Sequence, residues 1–126
     1  MNSCNFIGRL AQNPELVPVD NTHVARFTLA VEDYRRSRDG KKTKRVDYFD
    51  FEAWDSGATT ICKYCQKGDE LAVFTTGRQY KWTDNDGNRN SKVTFRVNKF
   101  KLIGAHTRNT ESEVPIDDES PEEAKA

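Results

Sequence analysis

Apolar and polar residues alternate over much of the first hundred positions, the period-two pattern of half-buried strands. Residues 4–10 form a first predicted strand, and Asn13-Pro14 breaks the chain after it. Residues 24–31 form a second, with Phe27, Leu29 and Val31 on one face. Residues 46–54, 71–82 and 92–103 read as the third, fourth and fifth, and Asp84-Asn85-Asp86-Gly87 as the turn joining the last two. One stretch has a helical period instead. Ala58, Ile61, Cys62 and Cys65 fall at i, i+3, i+4 and i+7, with Ser56 as candidate N-cap and Gly68 as stop.

Five strands with a helix between the third and fourth is the element order of an OB-fold. The expected class is therefore all-β, a five-stranded, partly open barrel with one short helix. Strand order alone also fits an SH3-like barrel or another small β-fold. The length of 126 residues suits one domain. With 35% of residues hydrophobic and 32% charged, its core must be small.

Twenty basic and twenty acidic side chains cancel to zero, which taken whole argues against a polyanionic partner. The zero is a sum of two unlike segments. Residues 1–104 hold 18 Lys/Arg against 13 Asp/Glu, a net of +5, and all thirteen aromatic residues. Residues 105–126 hold 2 against 7, a net of −5. The second segment has too little apolar surface to offset its ordering entropy. The expected division is an OB-fold domain over residues 1–104 and a disordered acidic tail over residues 105–126. No apolar run approaches the roughly 20 residues of a membrane span, so no membrane partner is expected. The first residues lack a secretory profile, and three cysteines without a disulfide-framework spacing suggest a reducing compartment.

Basic charge is clumped. Arg35, Arg36, Arg38, Lys41, Lys42, Lys44 and Arg45 fall within eleven residues, opposed only by Asp39. Asp39-Gly40 is a tight-turn signal, so the run reads as a hairpin tip with two basic arms. A solvated loop accounts for the same charges.

The third strand places Phe49, Phe51 and Ala53 on a core face and Tyr48, Asp50, Glu52 and Trp54 on the other. Large rings on a wet face serve barrel-edge packing, an oligomer contact, or a stacking platform for unpaired bases. Stacking needs no particular sequence and is worth roughly 1–3 kcal/mol per base. Duplex DNA hides those base faces. In the fourth strand Arg78, Tyr80 and Trp82 share a face, with Lys81 adjacent, although Tyr80 reads equally as core. Arg89, Lys92, Arg96, Lys99 and Lys101 extend the basic surface across the turn.

Catalysis finds little support. Cys62-Lys63-Tyr64-Cys65 has the C-x-x-C spacing of a zinc or redox pair, but no second paired motif accompanies Cys4, His23 and His106. Both thiols lie late on the helix's apolar stripe, where core packing explains them better than reactivity. There is no phosphate-binding glycine loop and no nucleophile–base set. A non-enzymatic protein without metal or cofactor is expected.

The chain resembles the bacterial-type single-stranded DNA-binding protein (SSB) family over about residues 2–104. The resemblance is carried by Asn5-Phe6-Ile7-Gly8-Arg9-Leu10, Asn13-Pro14-Glu15-Leu16 and Val24-Ala25-Arg26-Phe27-Thr28-Leu29-Ala30-Val31. Lys63-Tyr64-Cys65-Gln66-Lys67-Gly68-Asp69 and Tyr80-Lys81-Trp82-Thr83-Asp84 complete it in order and spacing. It implies an OB-fold that binds and protects single-stranded DNA without sequence preference during replication, recombination and repair. By position, Tyr48, Trp54 and Trp82 match family stacking residues, and Tyr34 lies one residue from another. The resemblance also implies a homotetramer, with residues 3–7 of the first strand at an interface. The implied location is the cytoplasm, at the nucleoid, or a host cytoplasm for a phage or plasmid gene. An RNA-binding OB-fold, or an accessory replication protein acting through protein contacts, is the alternative.

Two departures accompany the match. Family tails commonly end in an acidic motif closed by Pro-Phe, which implies replication and repair proteins as tail partners. Here Val114-Pro115-Ile116-Asp117-Asp118 resembles a displaced fragment of it, without the terminal phenylalanine. In the fourth strand, Thr75-Thr76-Gly77 sets the glycine about two residues from its family place, which leaves the register of Arg78 and Tyr80 open.

Overall fold

The structure, a computed structural model, describes residues 1–105. The tail expected to be disordered and its displaced motif fall, from His106 onward, outside the described residues.

Six strands and one helix follow in the order β1 (Cys4–Leu10), β2 (Glu15–Val19), β3 (Thr22–Arg36), β4 (Lys42–Trp54), α1 (Asp55–Tyr64), β5 (Glu70–Thr83) and β6 (Arg89–Gly104). All pair in one sheet, ordered β1-β5-β6-β4-β3-β2, and a further β1–β3 pairing closes five of the strands into a barrel. With its helix between β4 and β5, this is the OB-fold expected from the element order. Two of its seams are short. β1 meets β3 only at Arg9↔Ala30 and Leu10↔Leu29, and β4 meets β6, in parallel, at Phe51↔Phe95 and Glu52↔Arg96.

The sixth strand, β2, is absent from the sequence reading. It lies on the outer edge of β3, from Glu15↔Arg26 to Val19↔Thr22. Its Pro18 lacks an N–H, which an edge strand tolerates. β3 and β4 also run further than their apolar alternation, pairing out to Arg36↔Lys42. The turn between them is the expected tip: Gly40 has φ +84, and its N–H donates to the Ser37 carbonyl at 3.0 Å.

The inward side chains match the predicted core faces. Phe27 stacks on Phe51 with centroids 5.4 Å apart, and Phe6 meets Phe49, Phe51 and Phe95 at 5.0–5.3 Å. Leu29, Leu71, Val73 and Val97 are fully buried around them. From α1, Ala58 and Ile61 are buried, the latter burial worth about 1.5–3 kcal/mol. Cys65 is buried in the same cluster and Cys62 packs against it, with the Cys62 thiol pushed up by desolvation.

The helix begins earlier than its sequence signal. Trp54, not Ser56, is the N-cap residue, and no side chain caps it, because β4 runs directly into the first turn. Asp55 then takes φ +56, which aspartate tolerates better than most residues, and its carboxylate accepts a hydrogen bond from Thr22. The β5 register left open by the sequence is also fixed. A register shift between Phe74 and Thr75 sets Gly77 opposite Phe95, and the register then runs Arg78↔Thr94 and Tyr80↔Lys92.

Candidate nucleic-acid interface

The β3–β4 register decides which side chains share the outer face. Cross-strand partners point the same way, so Tyr34 lies with Lys44, Ala30 with Tyr48, Thr28 with Asp50, Arg26 with Glu52 and Val24 with Trp54. Tyr48 is 65% exposed and Tyr34 53%. The Lys42 ammonium sits 4.7 Å from the Tyr34 ring centroid, and the Tyr34 hydroxyl donates to Glu32 Oε1 at 3.0 Å. That hydrogen bond raises the Tyr34 phenol above its ordinary value. Glu32 also pairs with Lys44 at 3.6 Å.

The pleat divides the seven basic residues of this hairpin. Arg36, Lys42 and Lys44 share the face of Tyr34 and Tyr48, whereas Arg35 and Arg45 pair with Thr43 and Asp33 on the opposite face. Arg45 Nε donates to Asp47 Oδ1 at 3.1 Å on that far side. Arg38 and Lys41 sit at the tip, where the Asp39 carboxylate accepts from Ser37 and from the Lys41 N–H.

The second arm is the β5–β6 hairpin. Its register sets Arg78, Tyr80 and Trp82 on one face with Thr94, Lys92 and Asn90, and Lys81 on the other with Ser91. Trp82 is 49% exposed and Tyr80 43%, so Tyr80 is a surface residue rather than core. Asp84 Oδ1 accepts the N–H groups of Asp86 and Asn88 at 3.0 and 2.9 Å, which fixes the turn and holds its carboxyl below the usual range.

Between the arms lies a groove of about 580 Å³, lined by Trp54, Tyr80, Arg26, Thr28, Asp50, Glu52, Lys92 and Thr94. Trp54 is half-buried in its wall, and Arg96 stands over the ring at 5.2 Å from its centroid. The buried Trp54 Nε1–H finds no acceptor among the described residues. Asp50 accepts from Thr28 at 2.9 Å and pairs with Lys92 at 3.2 Å. Glu52 is only 3% exposed, and its Oε2 accepts the Tyr80 hydroxyl at 2.5 Å.

The structure thus brings Trp54 and Tyr80 to one groove and sets Tyr48 on the same face of β4. Trp82 lies further along the second arm, beside a separate hollow of about 460 Å³ that also touches Lys81 and Arg89. Arg26 and Thr28 were missed by the sequence reading. The signal for them was available in their parity with Ala30 on β3, but not which strand they faced.

The single-strand binding protein family profile matches residues 1–103. The chain belongs to this family. Family proteins are non-catalytic. A single-stranded DNA-binding protein of Clostridium perfringens is 36% identical over 105 residues, covering 82% of this chain and 66% of that protein. Single-stranded DNA-binding protein 2 of Clostridium acetobutylicum is 30% identical over 125 residues, covering 94% and 92%. The match spans 59% of the Treponema pallidum relative, so this chain covers less than two thirds of several of them. Among solved structures, the Plasmodium falciparum SSB complex with ssDNA superimposes with a TM-score of 0.72 at 25% identity, covering 82% of this chain and 94% of that one. Asp50 and Glu52 set two carboxylates among the cations of the groove.

Proposed function

We propose that this chain binds and protects single-stranded DNA, without sequence-defined sites and without catalysis, during replication, recombination and repair. The observation that carries this reading is the row of exposed rings. Trp54 and Tyr80 line the groove between two cationic arms, Tyr48 stands on the same face of β4, and Trp82 lies further along the second arm. Flat apolar rings on a wet surface match unstacked bases, which duplex DNA does not offer. Tyr34 extends the row toward the hairpin tip.

Charge supplies the other half. Arg36, Lys42, Lys44 and Arg78 on the ring-bearing faces, with Arg38 and Lys41 at the tip, take the phosphates and release their counterions. Arg35, Arg45 and Lys81 on the opposite faces contribute less. Affinity therefore falls with salt at a slope of roughly −0.7 per phosphate neutralised. Residues 1–104 carry the binding. The assembly is a homotetramer built in part on β1. Over Cys4–Gly8 that strand pairs with β5 alone among the described residues, and Ile7 is 55% exposed. An open edge and an exposed apolar side chain support a strand-to-strand contact there. The protein works in the cytoplasm, at the nucleoid or on the genome of a resident phage or plasmid.

Competition tests the reading. A labelled single-stranded DNA oligomer is displaced from the protein by unlabelled single strands and not by duplex. Equal displacement by matched RNA would turn the reading to an RNA-binding OB-fold.

A further inference from the structure

We propose that Asp50 is a built-in competitor for phosphate: its carboxylate holds the Lys92 ammonium, so nucleic acid gains that lysine only by displacing it. The proposal rests on the single-strand reading given above and adds a brake to the same groove.

Asp50 and Lys92 both line the groove beside Trp54 and Tyr80. Oδ2 of Asp50 lies 3.2 Å from the Lys92 Nζ, and Oδ1 accepts the Thr28 hydroxyl at 2.9 Å. Among the described residues this is the one ion pair whose two members both line that groove. It also joins two strands where their backbone pairing is absent. β4 and β6 pair only at Phe51↔Phe95 and Glu52↔Arg96, and Asp50 and Lys92 lie on the N-terminal side of both pairs. Thr28 is the cross-strand partner of Asp50 on β3, so its hydroxyl holds one carboxylate oxygen while the other meets Lys92.

What Asp50 offers Lys92 is what a DNA phosphate offers, an anionic oxygen that accepts from an ammonium. A lysine head is a point charge with three donors and does not tell the two apart by shape. The pair is open to water, with side-chain exposures of 55% for Lys92 and 47% for Asp50. Ion pairs this exposed are weak and screened by salt, so a phosphate can take the lysine. The exchange has a signature in ion counting. A free lysine that meets a phosphate releases a counterion from the DNA. A lysine taken from Asp50 releases one too, but the vacated carboxylate gathers one back. Lys92 therefore adds little to the salt slope while Asp50 is ionised.

The test uses the full chain and fluorescence anisotropy with a labelled oligo(dT), at several salt concentrations. Asp50→Asn keeps an oxygen for the Thr28 hydroxyl and removes the charge that holds Lys92. The variant should bind with a salt slope steeper by roughly 0.7, the yield of one further phosphate contact. With that contact worth nothing at 1 M salt, the gain in affinity is about eightfold at 50 mM and about threefold at 200 mM. Adding Lys92→Gln should return slope and affinity close to the parent's. Adding Lys63→Gln instead, which makes the same change of net charge on α1, should leave the gain in place. An unchanged or weaker complex with Asp50→Asn overturns the inference and leaves single-strand binding standing. Equal reversal by Lys63→Gln and Lys92→Gln would show overall charge alone at work, which also overturns it. Failure of the parent to bind the oligomer overturns the binding function itself.

Discussion

A Cβ placed on Gly8 would stand 2.7 Å from the carbonyl oxygen of Ala30. The contact lies at the two-pair seam where β1 meets β3 and closes the barrel. Both atoms near the clash on the Ala30 side are backbone, so the strands themselves would have to part. Gly8→Ala should lower stability by about 1–3 kcal/mol, seen as a lower urea midpoint at unchanged slope. A midpoint equal to the parent's would show that the seam opens freely.

Tyr48 and Trp54 separate binding from stability. Tyr48 is 65% exposed, so Tyr48→Ala should weaken single-strand binding by about 1–3 kcal/mol. Its unfolding free energy, from urea denaturation, should change by less than about 0.5 kcal/mol. Trp54 is half-buried where β4 enters α1, so Trp54→Ala should cost both affinity and more than about 2 kcal/mol of stability. Titration and denaturation of the two variants side by side check this. Equal stability losses would mean that the two rings are held alike.

The pleat of the β3–β4 hairpin predicts unequal roles for neighbouring cations. Lys42 and Lys44 share the face of Tyr48, and Arg35 and Arg45 the face behind it. Replacing both lysines with glutamine should flatten the salt dependence of binding by roughly 0.7 for each phosphate no longer neutralised. Replacing Arg35 and Arg45 should change the slope less. Titrations at several salt concentrations compare the pairs, and identical slopes would show DNA wrapping both faces of the arm.

Alkaline pH reports the Tyr80–Glu52 contact. The hydrogen bond to Glu52 raises the Tyr80 phenol above 10.0, helped by partial burial and the Glu52 charge. The folded chain therefore holds this proton more tightly than the unfolded one. The contribution is full below pH 10.0 and is lost as pH rises through the folded-state value. Tyr80→Phe should be less stable at neutral pH and decline less steeply above it, with Tyr34 keeping its own share of the slope. Urea midpoints across that range check it; parallel curves would mean that the contact contributes nothing.

Much of the barrel is legible in local pattern. Phe27, Leu29, Phe49, Phe51 and Ala53 declare their inward faces by alternation, and Gly40 and Gly87 mark hairpin tips where φ is positive. β2 escapes because Glu15-Leu16-Val17-Pro18-Val19 is short and contains a proline, and only its pairing with β3 makes it a strand. The outer halves of β3 and β4 escape because their charged side chains carry no apolar alternation; cross-strand hydrogen bonds hold them instead. The exposed rings were readable from parity. The groove was not, because Lys92 reaches Asp50, and Tyr80 reaches Glu52, only through the β5–β6 register, which the shift after Phe74 sets. Arg45 illustrates the reverse: its charge was plain, and its pairing with Asp47 behind the hairpin was not.

The central claim is that bases stack on the rings beside the groove. The chain has two tryptophans; Trp54 lines the groove and Trp82 lies further along the second arm. Their fluorescence, titrated with single-stranded and duplex DNA of equal length at low and high salt, measures the claim directly. The predicted result is strong quenching by single strands, a much smaller response to duplex, and a titration midpoint that moves to higher DNA concentration with salt. Equal responses to both forms, or none to single strands, would contradict it.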